Sequence, residues 1–196
     1  MEIPFIGYGK LGSPLADRLQ QLGHAMTLAS ANPPSHSLEK TLARNPNLKV
    51  ATPKTAMGNP EVVFLAIPYP AAEASLIAVE KELKGKILVD CTNPVSPNLS
   101  HGLNSTQSSL EVFQKLLPET RVVKAFNTHG YENIKNNAYP DYKINPAMMY
   151  CGQDATEKAT IRNLIEQLGG SHRRWWNRAG APHGAHDPAV GAHCAP

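Results

Sequence analysis

Residues 1–30 read M-E-I-P-F-I-G-Y-G-K-L-G-S-P-L-A-D-R-L-Q-Q-L-G-H-A-M-T-L-A-S, and the fold turns on how this stretch is parsed. Ile3 to Ile6 is a short apolar run, suited to a buried strand. Gly7-Tyr8-Gly9-Lys10-Leu11-Gly12 follows at once. Leu11, Leu15, Leu19 and Leu22 then share one helical face, Gly23 stops the helix, and His24 to Ala29 reads as a second strand. Strand, glycine turn, helix and strand in this order form the first unit of a dinucleotide-binding fold. In such a unit Gly7 permits the tight turn, Gly9 lets the backbone approach a pyrophosphate, and Gly12 lets the helix pack close to the strand. The free N–H groups at the helix start face the phosphates, helped by the helix dipole.

The whole chain bounds what this unit can belong to. Its 196 residues suit one domain with a small appendage, and 41% hydrophobic residues suffice for a core. No apolar run is long enough to span a bilayer. The chain opens on its first core strand, so no signal peptide is expected and a cytoplasmic location is. Cys91, Cys151 and Cys194 are far apart and odd in number. Cys91 and Cys151 lie in apolar runs and read as buried thiols, not as a disulfide framework. The net charge is +3, of which +2 falls beyond Gly170, and no basic stripe with interleaved aromatics is present. Nucleic acid and membrane are therefore not expected partners.

Further along, the second strand ends in Ser30-Ala31-Asn32, where a site for NAD carries a carboxylate on the ribose 2′-hydroxyl. No carboxylate stands here. Ser30 and Asn32 can donate to a 2′-phosphate, with Lys40 or Arg44 adding charge, so NADP is the favoured nucleotide; the alternative is that Ser30 and Asn32 merely cap the next helix. Leu38–Ala43 reads as a helix, Leu48–Ala51 as a third strand, and Glu61–Ile67, apolar after its first residue, as a central parallel strand ending in Pro68-Tyr69-Pro70. Ala71–Leu83 reads as one helix and Lys86–Cys91 as a strand ending in Thr92-Asn93-Pro94. Asn93 offers a donor and an acceptor to a carboxamide or ribose, or else only forms the turn before Pro94. Val95–Thr106 reads as a loop, a helical face holds Leu110, Phe113, Leu116 and Leu117, and Arg121–Phe126 is a strand running into Asn127-Thr128-His129-Gly130. Asn127 and Thr128 are candidate ligand contacts. His129 could move a proton, or only line the loop. Tyr131–Ala147 reads as a polar connection and Met148–Cys151 as a short strand. Asp154 to Glu157 has capping-box spacing ahead of a helix burying Ile161, Leu164, Ile165 and Leu168. The fold class is α/β, a doubly wound, mainly parallel sheet of Rossmann type.

With these residues in place the chain resembles the coenzyme F420-dependent NADP oxidoreductases over Met1 to Gly169. The likeness rests on I-G-Y-G-K-L-G at 6–12, the serine after the second strand, A-I-P at 66–68, D-C-T-N-P at 90–94 and V-K-A-F-N-T at 123–128. It implies that Tyr8, Gly9, Lys10 and Leu11, in the turn bounded by Gly7 and Gly12, hold the pyrophosphate. Ser30 and Asn32 would meet the 2′-phosphate, and Ile67, Pro68, Asn93 and Pro94 would line the nicotinamide. A deazaflavin (F420), or a flavin acceptor, would lie against Asn127 and Thr128. Ala31 stands where the family often has an arginine. The implied chemistry is direct hydride transfer between NADP(H) and a small-molecule acceptor, in which the cofactor does the chemistry and the protein sets distance and stacking. No catalytic side chain and no metal is expected, and a homodimer is the assembly the sequence allows.

Two other functions fit parts of this reading. A nicotinamide-nucleotide sensor without turnover would have the same fold and pocket. An imino-acid or hydroxy-acid reductase would need a second helical domain, for which residues 171–196 are too few. That tail is atypical: it has no Leu or Ile, two adjacent tryptophans, and an excess of Arg, His, Gly, Ala and Pro. His183, His186, His193 and Cys194 imitate a zinc set. The codons for Ala179 to Ala192, shifted by one nucleotide, permit R-A-R-L-M-E-H-M-T-L-L-W-V-R, an amphipathic helix-favouring string. The hypothesis is a frameshift near 169–174 that replaces the last strand and helix with a disordered or loosely packed tail. Mass spectrometry of the C-terminal peptide tests it, and stoichiometric zinc binding by the tail would overturn it.

Overall fold

The computed structural model describes residues 1–30, 36–95, 102–103, 106–128, 130–136 and 146–174. The strands are β1 (Glu2–Ile6), β2 (Ala25–Ala29), β3 (Lys49–Ala51), β4 (Val62–Leu65), β5 (Ile87–Asp90), β6 (Arg121–Ala125), β7 (Ala147–Gly152) and β8 (Ser171–Arg174). The helices are α1 (Gly12–Gln21), α2 (His36–Arg44), α3 (Pro53–Ala56), α4 (Ala72–Ile77), α5 (Glu80–Leu83), α6 (Ser109–Leu116), α7 (Tyr131–Lys135) and α8 (Ala155–Gln167). One eight-stranded sheet runs β3-β2-β1-β4-β5-β6-β7-β8. Strands β1 to β6 are parallel, β7 is antiparallel to β6, and β8 is parallel to β7. Strand order reverses between β1 and β4, which is the switch point where a doubly wound sheet opens its crevice.

Successive residues of β4 explain why both faces carry helices. Val62 and Phe64 join one apolar cluster, with Leu15 and Leu19 of α1 and Ile161 and Leu164 of α8. Val63 and Leu65 join the other, with Leu76 of α4 and Phe113 of α6. All four β4 side chains are fully buried. The rings of Phe5 and Phe64 stack at 4.7 Å, and Phe64 meets Phe126 at 5.6 Å. Each such buried side chain contributes roughly 1.5–3 kcal/mol, so the sheet centre holds the molecule together.

The expected capping box starts α8: Thr156 N–H donates to Asp154 Oδ1 at 2.6 Å and Asp154 N–H to Glu157 Oε1 at 3.0 Å. The Ile161, Leu164, Ile165 and Leu168 face is buried as its spacing requires.

Four expectations are corrected. The helix read over 71–83 is a 3-10 turn (Tyr69–Ala71) followed by α4 and α5, because Val79 adopts φ −128°. Leu76, Val79 and Leu83 all enter one cluster, and the break lets them do so. The polar stretch after Gly130 contains α7, which buries Ile134. Cys151 is disulfide-bonded, whereas Cys91 is the buried free thiol expected. Finally, the atypical segment does not begin at 171. Ser171–Arg174 form β8, registered on Ala147–Tyr150 of β7, since ladder bonds come from the backbone and a polar, basic sequence suits a sheet edge. The frameshift and zinc readings concern 175–196, which lie outside the described residues.

Candidate functional site

The turn between β1 and α1 is built as its glycines require. Gly7 has φ +103°, and a Cβ there would fall 2.5 Å from Ile67 Cγ2 and closer still to the Ala66 carbonyl. A Cβ on Gly12 would collide with the carbonyl of Gly7. Gly9 is the opposite case: a Cβ there would meet no atom within 4 Å. The turn is thus tight against β4 on one side and open at Gly9. Helix α1 begins without a side-chain cap and without an acidic residue in its first turn. Ser13 N–H donates to the Gly9 carbonyl at 3.1 Å and Pro14 has no N–H, so what the helix start offers an anion is its dipole and the backbone N–H groups of the turn before Ser13. Lys10 is exposed and Leu11 packs against the core. These features fit a pyrophosphate.

The side chains around Tyr8 fix the turn relative to β2. Ser13 Oγ and Thr41 Oγ1, at 3.5 Å, donate to the Tyr8 carbonyl, which ties the turn to α1 and α2. The Tyr8 hydroxyl lies 3.3 Å from Ser30 Oγ, just past β2. Two hydroxyls therefore meet where the 2′-phosphate is expected. Arg44 is directed elsewhere, onto Asp17 Oδ2 at 2.7 Å. Asn32 lies outside the described residues.

Beyond the switch point, Ile67, Asn93 and Asn127 follow the carboxyl ends of β4, β5 and β6, along one edge. Ile67 is half-buried and Pro68 exposed. Tyr69 stacks on Phe113 of α6 at 5.6 Å, which anchors this loop. Burial, then Asp90 and Glu73, raise the Tyr69 phenol above its ordinary value. Asn93 and Asn127 bond reciprocally: Asn93 Nδ2 donates to the Asn127 carbonyl at 3.0 Å, and Asn127 Nδ2 to Asn93 Oδ1 at 3.1 Å. Phe126, between β6 and Asn127, has φ +62°, rare for a bulky residue. Pro94 is buried and Thr128 exposed, while His129 lies outside the described residues. Burial pushes the Cys91 thiol well above its ordinary range, so it holds its proton and is no nucleophile at neutral pH.

Below the asparagine pair lies a fully buried ion pair, Lys124 Nζ to Asp90 Oδ2 at 2.8 Å. Lys124 also donates to Ser109 Oγ at 2.8 Å and to the Thr92 carbonyl. Asp90 accepts from Ser109 Oγ at 2.7 Å and, through Oδ1, from Thr92 N–H at 2.8 Å. Every ammonium proton and both carboxylate oxygens are used.

The family model for coenzyme F420-dependent NADP oxidoreductases matches residues 2–94. The crystal structure of a candidate F420-dependent NADP reductase from Arthrobacter sp. FB24 superposes with a TM-score of 0.77 and 27% identity, over 89% of this chain and 84% of that one. Residues 2–94 of this chain are therefore similar to the F420-dependent NADP oxidoreductases. Among its relatives, the F420-dependent NADP reductase of Methanocaldococcus jannaschii is 27% identical over 124 residues, 60% of this chain and 53% of the relative. The metalloreductase STEAP3 of Rattus norvegicus is 29% identical over 169 residues, 86% of this chain and 32% of the relative. The chain thus spans about half the length of one relative and about a third of the other.

Three features of the site escaped the sequence reading. They are the Lys124–Asp90–Ser109 network, the left-handed Phe126 and the Tyr8–Ser30 contact. The first left a signal. Val122-Val123-Lys124-Ala125-Phe126 carries a lone cation inside an apolar strand, and Ile87-Leu88-Val89-Asp90 ends one in a carboxylate. Charges placed so are buried only if paired, and neighbouring strands are the natural place for the partners.

Proposed function

We propose that this protein is an NADP-dependent oxidoreductase that transfers hydride between NADP(H) and a deazaflavin of the F420 type or a flavin. The observation that carries this reading is the β1–α1 turn, tight at Gly7, open at Gly9 and followed by an uncapped helix start at the sheet's switch point. When bound, the nicotinamide supplies or takes the hydride. The backbone N–H groups of the turn before Ser13, with the α1 dipole, hold the pyrophosphate. Tyr8 and Ser30, with Asn32, donate to the 2′-phosphate. Ile67 and Pro68 flank the nicotinamide, and Asn93 and Pro94 support it from the end of β5. Asn127 and Thr128 face the acceptor. These contacts fix the distance and overlap of two flat rings, which is what a direct transfer needs.

The test runs NADPH and NADH oxidation in parallel with F420, FMN and ferric chelates, beside titration of both nucleotides. The expected outcome is tighter binding of NADPH than NADH and turnover with at least one acceptor. Absence of NADPH binding would refute the reading. Tight binding with no turnover on any acceptor would assign the chain instead as a nucleotide-sensing module.

A further inference from the structure

We propose that Lys124 is a positioning residue that sets the nicotinamide-side edge of the crevice, through the peptide joining Thr92 to Asn93. The proposal rests on the NADP(H) reading above and deepens it. Lys124 Nζ grips the carbonyl of Thr92, which is one half of that peptide. Asp90 Oδ1 holds the N–H of the peptide before it, at 2.8 Å. Asp90 and Lys124 are themselves joined, on adjacent parallel strands in register at Asp90↔Lys124. The turn after β5 is therefore clamped on both peptides that precede the Asn93 side chain.

The same ammonium reaches a third element. Ser109 is the first residue of α6, held between Lys124 Nζ at 2.8 Å and Asp90 Oδ2 at 2.7 Å. One buried cation thus fixes Thr92, before the 93–108 connection, and Ser109, after it. Above it, Asn93 and Asn127 bond in both directions, and the left-handed Phe126 turns the chain so that the Asn127 carbonyl faces Asn93. Such a conformation costs free energy and persists only where its surroundings over-determine it. The clamp below and the asparagine pair above do this. Beside the gripped peptide, Thr92 Oγ1 is buried without a partner among the described residues, a polar group kept next to the crevice at a cost. An ion pair needed only for stability would often be matched by apolar residues of similar volume. This one instead orders backbone at the place where the nicotinamide ring is expected.

The test separates the two halves of the cofactor and needs no acceptor. Dissociation constants for NADPH and for 2′,5′-ADP, which lacks the nicotinamide half, are measured on the full chain and on Asp90→Leu/Lys124→Met, which removes both charges together. In the wild type NADPH is expected to bind about tenfold more tightly than 2′,5′-ADP. In the double variant 2′,5′-ADP binding stays within about twofold of wild type, while the NADPH advantage collapses toward one. Ser109→Ala, which keeps the ion pair, is expected to cut that advantage about threefold, and it decides the matter if the double variant does not fold. A folded double variant with the wild-type ratio overturns the positioning role, as does an unchanged ratio in Ser109→Ala. Equal wild-type affinities for the two ligands overturn it too. A wild type that binds neither ligand refutes the proposed function itself.

Discussion

Gly9 and Gly7 look alike in sequence and do opposite work. At Gly7 the backbone needs φ +103° and a Cβ would strike β4's continuation, so Gly7→Ala should cost about 2 kcal/mol or more. Thermal or urea denaturation reads this directly. At Gly9 a side chain would meet no protein atom within 4 Å. Gly9→Val should therefore leave the melting temperature almost unchanged while weakening NADPH binding by about tenfold or more; a variant that binds normally would show that the open space is not the ligand's. Ser30 offers the complementary experiment. Ser30→Glu places a carboxylate beside the Tyr8 hydroxyl, and the NADPH-to-NADH affinity ratio should fall below one, by like-charge repulsion with the 2′-phosphate.

At the scale of elements, the two capping boxes carry separable consequences. Ser108 caps α6 by accepting from Glu111 N–H at 3.2 Å, while its own N–H donates to Glu111 Oε2 at 2.7 Å. Ser108→Ala should cost about 1 kcal/mol, seen as a lower urea midpoint at unchanged slope. Asp154 is held below the ordinary carboxylate range by the backbone N–H of Thr156. A carboxylate whose folded pKa is depressed stabilises above its unfolded value and loses that contribution as pH falls through the folded one. Asp154→Ala should thus lower the melting temperature at neutral pH, with the gap to wild type closing on acidification; a gap constant with pH would refute the linkage. The α8 box was legible from sequence because both its residues and its apolar spacing are local. Strands β1, β2 and β4 were equally legible, each being a run bounded by turn residues. What stayed hidden was whatever depends on a distant partner. The break in 71–83 is set by how Val79 packs, and α7 is too short to show a period. The contact that engages Asn93 comes from 34 residues away.

For the molecule as a whole, the sheet order predicts a gradient of opening. Strands β1, β4, β5 and β6 are flanked on both sides and covered by both clusters, whereas β3 and β8 close the sheet with three and four residues. Native-state hydrogen exchange should find β4 and β5 amides exchanging only through global unfolding and β3 and β8 amides exchanging through local opening. Uniform protection across the sheet would contradict this order. The buried pair in that protected centre also constrains how the protein can change over generations. Losing Lys124 or Asp90 alone strands a charge at a cost of roughly 3–5 kcal/mol, a large share of the roughly 5–15 kcal/mol a domain has in all. A lineage can reach the uncharged arrangement only by crossing that valley or by changing both positions together. Descendants should accordingly carry both charges or neither, and either residue grafted alone into a homologue lacking the pair should arrive as a liability.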